Sequence, residues 1–172
     1  MKKQIDKSGP ESETFLKIRL VKKEDLEILS EIYSRVFSEA DKNKPWDINH
    51  SYEHLMYWLK IQPDMFMGAF DENNKPIGAI AVGIKPWRRG NRCSAGIIFV
   101  DTQSQQKNVA KMLFKTMLNR AVRKYKAISF EAVTFAGKDF PLNWYKKLGI
   151  EPDRGAVLIK GNCFAVLKKL SD

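Results

Sequence analysis

The segment Asp101-Thr102-Gln103-Ser104-Gln105-Gln106-Lys107-Asn108-Val109-Ala110-Lys111 joins a buried-looking apolar run to a stretch with helical spacing. The first turn of a helix presents unpaired N–H groups and the positive end of the dipole, which together suit a phosphate. Asn108 and Ala110 are small enough to let a phosphate approach the backbone, and Lys107 and Lys111 add charge beside it. The plain alternative is a surface helix start, since every helix has such an end. Other reactive types are sparse. Cys93 and Cys163 have no histidine near them in sequence, so inert core thiols are expected rather than nucleophiles. Glu131 lies between Phe130 and Ala132 on an expected strand. Burial there would raise its pKa toward the range of a general base, and a solvated carboxylate is the equal alternative.

These groups need elements to hold them. Phe15–Val21 alternates and suits a half-buried strand. Leu26, Leu29, Ile32, Tyr33, Val36 and Phe37 are spaced by threes and fours and predict an amphipathic helix over Lys22–Ala40. Pro45 ends that pattern, and Asn49 is the expected cap of a second helix to about Ile61. Strands are predicted at Met65–Phe70, Ile77–Ile84, Cys93–Asp101 and Ala127–Phe135. The basic stretch Pro86–Arg92 reads as a loop, more a solvated turn than a site for an anionic substrate or nucleic acid. Val109, Leu113, Met117 and Ala121 mark one face of a long helix running to about Lys124. A short helix is predicted at Phe140–Leu148, ended by Gly149. Val157–Ile159 and Phe164–Leu167 read as closing strands, and Met1–Thr14 as a loose tail.

The chain has 172 residues, enough for one domain, here 15–172 behind the tail at 1–14. Two cysteines and two histidines exclude a disulfide scaffold and a zinc cluster, and no metal is expected. No apolar run reaches the roughly 20 residues of a membrane span, so no membrane partner and a cytoplasmic location are expected. The formal charge is +10 and uneven. Residues 1–84 carry a net −2 and residues 85–172 a net +12. A basic half attracts polyanions, or it is a solvated surface.

The junction after Val100 resembles the acetyl-CoA pyrophosphate loop of the GNAT N-acetyltransferase superfamily, Gln/Arg-x-x-Gly-x-Gly/Ala. It reads here Gln105-Gln106-Lys107-Asn108-Val109-Ala110, with the family spacing from Val100 to Gln105. Asn108 replaces the usual Gly, and Asn is the residue next most tolerant of left-handed backbone. Asn143-Trp144-Tyr145-Lys146-Lys147-Leu148-Gly149-Ile150 resembles the family's Tyr-Glu-Lys-Leu-Gly-Phe segment. Ile18 to Asp25 resembles its first strand and helix start. Two further positions depart, with Lys138 where many relatives have Asn and Pro141 where many have Ala.

The resemblance implies an α/β fold of mixed α+β type. Its sheet is mostly antiparallel with six to seven strands, helices on both faces and a central splayed parallel pair. It implies an acyltransferase that uses acetyl-CoA as donor and an amine-bearing acceptor, a small molecule or a protein. The backbone of Ile98, Phe99 and Val100 would meet the pantetheine arm. Gln105, Gln106, Lys107, Asn108, Val109, Ala110 and Lys111 would hold the pyrophosphate, with Lys138 as a further phosphate contact. Tyr145 would be the general acid and Glu131 a candidate base, with Asp101, Glu53 and His54 behind it. Trp46, Tyr52 and Glu53 would build the acceptor site, where acid and aromatic surface suits a cationic amine. A homodimer is left open. The alternatives are a basic nucleic-acid-binding module, disfavoured because no aromatics interleave with the basic residues on a strand, and a degenerate CoA-binding fold without turnover.

Overall fold

The computed structural model describes residues 16–40, 42, 44–105, 108–134, 139–153, 155 and 162–170. They fall into two compact units, Met1–Ala132 and Val133–Asp172. The expectations for the tail at 1–14, for Gln106, Lys107 and Lys138, and for a strand at 157–159 lie outside the described residues.

The first unit is a five-stranded sheet in the order β1-β2-β3-β4-β5. Its strands are β1 (Lys17–Leu20), β2 (Phe66–Phe70), β3 (Pro76–Trp87), β4 (Gly90–Val100) and β5 (Ala127–Glu131). The first three pairings are antiparallel and β4–β5 is parallel. Helices α1 (Leu26–Ala40) and α2 (Ile48–Ile61) cover one face. There Leu26, Leu29, Ile32 and Tyr33 of α1 and Leu55 of α2 pack with Phe66, Ala79, Ala81, Ile97 and Phe99. The alternate residues of the strands face α3 (Val109–Tyr125), whose Val109, Leu113, Met117 and Ala121 are buried as their spacing predicts. Cys93 Sγ meets Met117 Sδ at 3.5 Å on this side.

Several boundaries differ from the sequence reading, each for a local reason. Asp47, not Asn49, caps α2, accepting from the N–H groups of Asn49 and His50. Pro86–Arg92 is not a loop. Pairing continues to Trp87↔Gly90, and only Arg88-Arg89 turn the chain. The β2–β3 turn is tied by Asp71, whose carboxylate accepts from the N–H groups of Asn73 and Lys75. β5 stops at Glu131 rather than Phe135. The described sheet thus has five strands where six to seven are expected.

In the second unit, α4 (Asp139–Lys147) carries Pro141 in its first turn, where the missing N–H costs no helical bond. Gly149, at φ +76°, ends it as expected. Phe164–Leu167, read as a strand, lies within helix α5 (Cys163–Leu170). Asn162 caps it through the N–H of Ala165. Phe164, Leu167 and Leu170 recur every three residues, a helical period that a short apolar run also presents as a strand. Cys163 is exposed on this helix and not a core thiol. No described helix is long and apolar enough to cross a membrane.

Candidate functional site

β4 is paired on both sides only along its first half. Its parallel register with β5 runs from Asn91↔Ala127 to Ser94↔Glu131 and stops there. The antiparallel register with β3 continues to Val100. Beyond Ser94, no described strand borders the β5 side of β4, and an edge opens inside the sheet.

Strand geometry says which backbone groups look into that opening. The Asp101 N–H donates to the Ile77 carbonyl at 2.8 Å, toward β3. Backbone direction alternates along a strand, so Phe99 also turns to β3 while Ile98 and Val100 turn to the open edge. Gln105 Nε2 donates to the Val100 carbonyl at 3.2 Å, as this direction requires. The edge therefore offers the N–H and C=O of Ile98 and the N–H of Val100. Phe99 points its ring the other way, into the core against Tyr33, with centroids 5.2 Å apart.

The strand bends on entering the opening. Pairing shifts between Ala81 and Val82, whose partners Ile97 and Ala95 leave Gly96 as the extra residue of a bulge. A Cβ at Gly96 would lie 2.0 Å from the Trp58 ring, so only glycine lets α2 sit this close to the bulge. The sequence carried a signal for this, an isolated Gly inside an apolar strand, which marks a bulge or a close approach. It was not used.

At the end of β4 the chain makes a short 3-10 turn, Thr102–Ser104, capped by the Asp101 carboxylate. Arg35 of α1 pairs with that carboxylate at 2.9 Å and ties the turn to the first helix. Asn108 then adopts φ +58°, ψ +10°, the left-handed geometry required of it. Its side chain makes no cap hydrogen bond to the first-turn N–H groups of α3. Val109 is buried and anchors the turn, Ala110 is half-buried, and Lys111 is exposed.

Glu131 does not sit as expected. Lys85 and Arg92 both pair with its half-exposed carboxylate, Arg92 at 2.6 Å. The bond from Lys85, joined by that from Arg92, outweighs desolvation and lowers its pKa below the ordinary value. The burial-raised pKa of a base is therefore absent. Both partners come from strands far away in sequence, so Glu131's neighbours in sequence could not reveal them.

The residues expected at an acceptor site separate into two groups. Trp46 joins Tyr33, Phe37 and His54 in an aromatic cluster, with Trp46–His54 centroids at 5.7 Å and Tyr33–His54 at 5.6 Å. Burial lowers the His54 pKa, leaving a neutral imidazole at pH 7, and pushes the Tyr33 phenol up to about 12. Tyr52 lines a different groove with Glu24, Glu27 and Glu31, between α1 and α2. Glu53 is exposed. Tyr33 and Phe37 carry no sequence signal for this cluster, because their helical spacing reads equally well as plain core.

In the second unit Tyr145 is buried, and burial raises its pKa, so the phenol keeps its proton at neutral pH. Cys93 is buried with its thiol pushed up to about 11, the inert core thiol expected of it.

The model of the Acetyltransferase (GNAT) family matches residues 26–150. A sequence comparison with curated proteins finds no match. Among solved structures, one described as a possible acetyltransferase from Clostridium difficile 630 superposes with a TM-score of 0.72 at 14% identity, covering 86% of this chain and 97% of that one. The ribosomal-protein-alanine N-acetyltransferase from Brucella melitensis biovar Abortus 2308 gives 0.65 at 14% identity, covering 86% and 100%. The NatC complex bound to Gag peptide and CoA gives 0.60 at 20% identity, covering 77% and 82%. At these identities the structural likeness speaks to the fold alone. The family match spans most of the chain, from α1 through the opened strand and the left-handed Asn108 to the turn after α4, and on that match the chain belongs to the GNAT acetyltransferase family.

Proposed function

We propose that this chain moves an acetyl group from acetyl-CoA to a primary amine by direct attack on the thioester. The observation that carries the reading is the edge of β4 beyond Ser94, which no described strand pairs, placed just ahead of the N-terminus of α3. Acetyl-CoA supplies the activated thioester. The Ile98 and Val100 backbone groups would bind its amide-bearing arm as a missing strand would be bound. Gln105, Asn108, Val109, Ala110 and Lys111 would hold the pyrophosphate on first-turn amides and a lysine charge. Gln106, Lys107 and Lys138 are proposed to assist from the motif alone.

The acceptor must lose a proton to become a nucleophile, and the departing thiolate must gain one. Tyr145 is the proposed donor, since its raised pKa keeps the phenol protonated. His54 is the better proposed acceptor of the amine proton than Glu131. Its imidazole is neutral at pH 7, and it stacks with Tyr33, which touches Phe99 of β4. The exposed ring of Trp46 can meet an ammonium group before it is deprotonated.

The test is thiol release from acetyl-CoA against a panel of polyamines, amino sugars and peptide N-termini, with products weighed by mass spectrometry. The reading expects amine-dependent release and one added acetyl group on an amine. Tyr145→Phe should lower kcat about 10²-fold or more while acetyl-CoA still binds. CoA binding without release on any amine would support the degenerate reading instead.

A further inference from the structure

At the far end of β4 the Arg88-Arg89 turn and the start of β5 enclose a second cavity of about 410 Å³. Trp87, Arg88, Arg89, Gly90, Arg92, Ile128 and Ser129 line it. Ten residues of strand separate Gly90 from Val100, about 33 Å at the usual rise, so this cavity is distinct from the opened edge. Its chemistry is unlike a solvated turn. Trp87 is 50% exposed and Ile128 65%, two apolar side chains held in water at the cavity wall. The Arg92 guanidinium lies over one side of the Trp87 ring, 4.3 Å from its centroid, and Lys85 lies 5.5 Å from the same centroid.

The charge balance points one way. Glu131 is the acid at this end, and it is occupied by Lys85 and Arg92. Among the described residues, Arg88 and Arg89 have no carboxylate partner. Arg123 and Lys126 are exposed at the end of α3, and Lys126 directly precedes the residue that pairs with Asn91 of β4. A cavity open to a basic run, with a tryptophan at the end of a strand, offers a flat stacking surface beside charges for a repeating anion. A simple phosphate would leave Trp87 and Ile128 unused. A lone nucleotide would leave Arg123 and Lys126 unused. The objection from sequence, that no aromatic stands on a strand among the basic residues, does not hold once Trp87 is seen to end β3.

We propose that this cavity binds single-stranded nucleic acid, with a base stacked on Trp87 against Ile128 and the flanking phosphates on Arg88, Arg89 and the end of α3. The experiment is fluorescence anisotropy of a labelled oligothymidylate with the full chain, titrated between 50 and 200 mM salt. Binding is expected to weaken with a log–log slope of about −2, as roughly three phosphate contacts require. Trp87→Ala should weaken it about ten-fold or more, and Arg88→Gln with Arg89→Gln, which removes two of the three contacts, should reduce the slope by about 1.4. All three positions are exposed. An unchanged unfolding midpoint would show that the variants fold, and Trp87→Phe should restore most of the binding. Wild-type affinity in both the Trp87 and the arginine variants would overturn the proposal. So would equal competition by inorganic pyrophosphate, which marks a plain anion site, or equal affinity for thymidine monophosphate, which marks a free-nucleotide pocket.

Discussion

Asp64 holds the beginning of β2 to the end of α3. Tyr125 Oη donates to its carboxylate at 2.5 Å, Lys124 Nζ lies at 2.5 Å, and Gln62 Nε2 donates at 3.1 Å, while Arg120 Nε donates to its carbonyl at 2.7 Å. Partial burial works against ionisation, but these donors outweigh it and hold the carboxyl at about 2. A depressed pKa contributes stability that is fully present above the unfolded value near 3.8 and is lost as pH falls toward 2. Discounted for the exposed Lys124 partner, the contribution is on the order of 1 kcal/mol. Asp64→Asn should therefore cost about that much at pH 7 and almost nothing at pH 2, read from denaturant midpoints across that range. An equal cost at both pH values would mean that the charge is not what matters. Glu131 obeys the same rule, and there it removes a base that its sequence neighbours had suggested. Pairings that cross strands are set by register, which neighbouring residues do not encode.

Gly96 links α2 to the opened strand. A side chain there must push Trp58 away, and overpacking of this kind costs about 1–3 kcal/mol. Gly96→Ala should lower stability accordingly, whereas Gly83→Ala, whose Cβ would stand at an ordinary 3.8 Å from the Trp58 ring, should cost much less. Adding Trp58→Leu to Gly96→Ala should recover part of the loss, a coupling that a double-mutant cycle measures. Additive losses would place the strain elsewhere. The long elements were legible from their periods. The faces of α1 and α3 are those that Leu26, Leu29, Leu113 and Met117 mark. The left-handed turn at Asn108 is what the family resemblance implies, since Asn108 stands where Gly is usual and Asn tolerates that geometry. The Arg88-Arg89 hairpin was not, because charged residues at the end of a buried strand look like a loop until cross-strand pairing extends them. Phe164–Leu167 was misread because four apolar-rich residues fit both periods. At the site, Gln105, Asn108 and the Ile98–Val100 backbone are what the family resemblance implies, whereas the cluster of Tyr33 and Phe37 with Trp46 and His54 needed the tertiary contact.

Across the first unit, β4 differs at its two ends. Its last residues have no described strand on their β5 side and lie beside a helix N-terminus, and its first residues help to form a cavity rich in arginine. The charge follows this division. The half that carries α1 and α2 is net −2, as a surface meeting a cationic amine would be, and the half beyond residue 84 is net +12. The +12 half contains both the proposed pyrophosphate turn and the proposed nucleic-acid cavity. Everything proposed for the chemistry rests on the opened edge and the α3 turn receiving acetyl-CoA. The most direct test is the unfolding midpoint with and without acetyl-CoA at fixed salt. At about 100 times Kd, binding adds about 2.7 kcal/mol, which raises the midpoint by roughly 5–10 °C in a chain of this size. A rise of that order with acetyl-CoA, and none with inorganic pyrophosphate at the same concentration, is the predicted result. An unmoved midpoint up to millimolar acetyl-CoA would contradict the account.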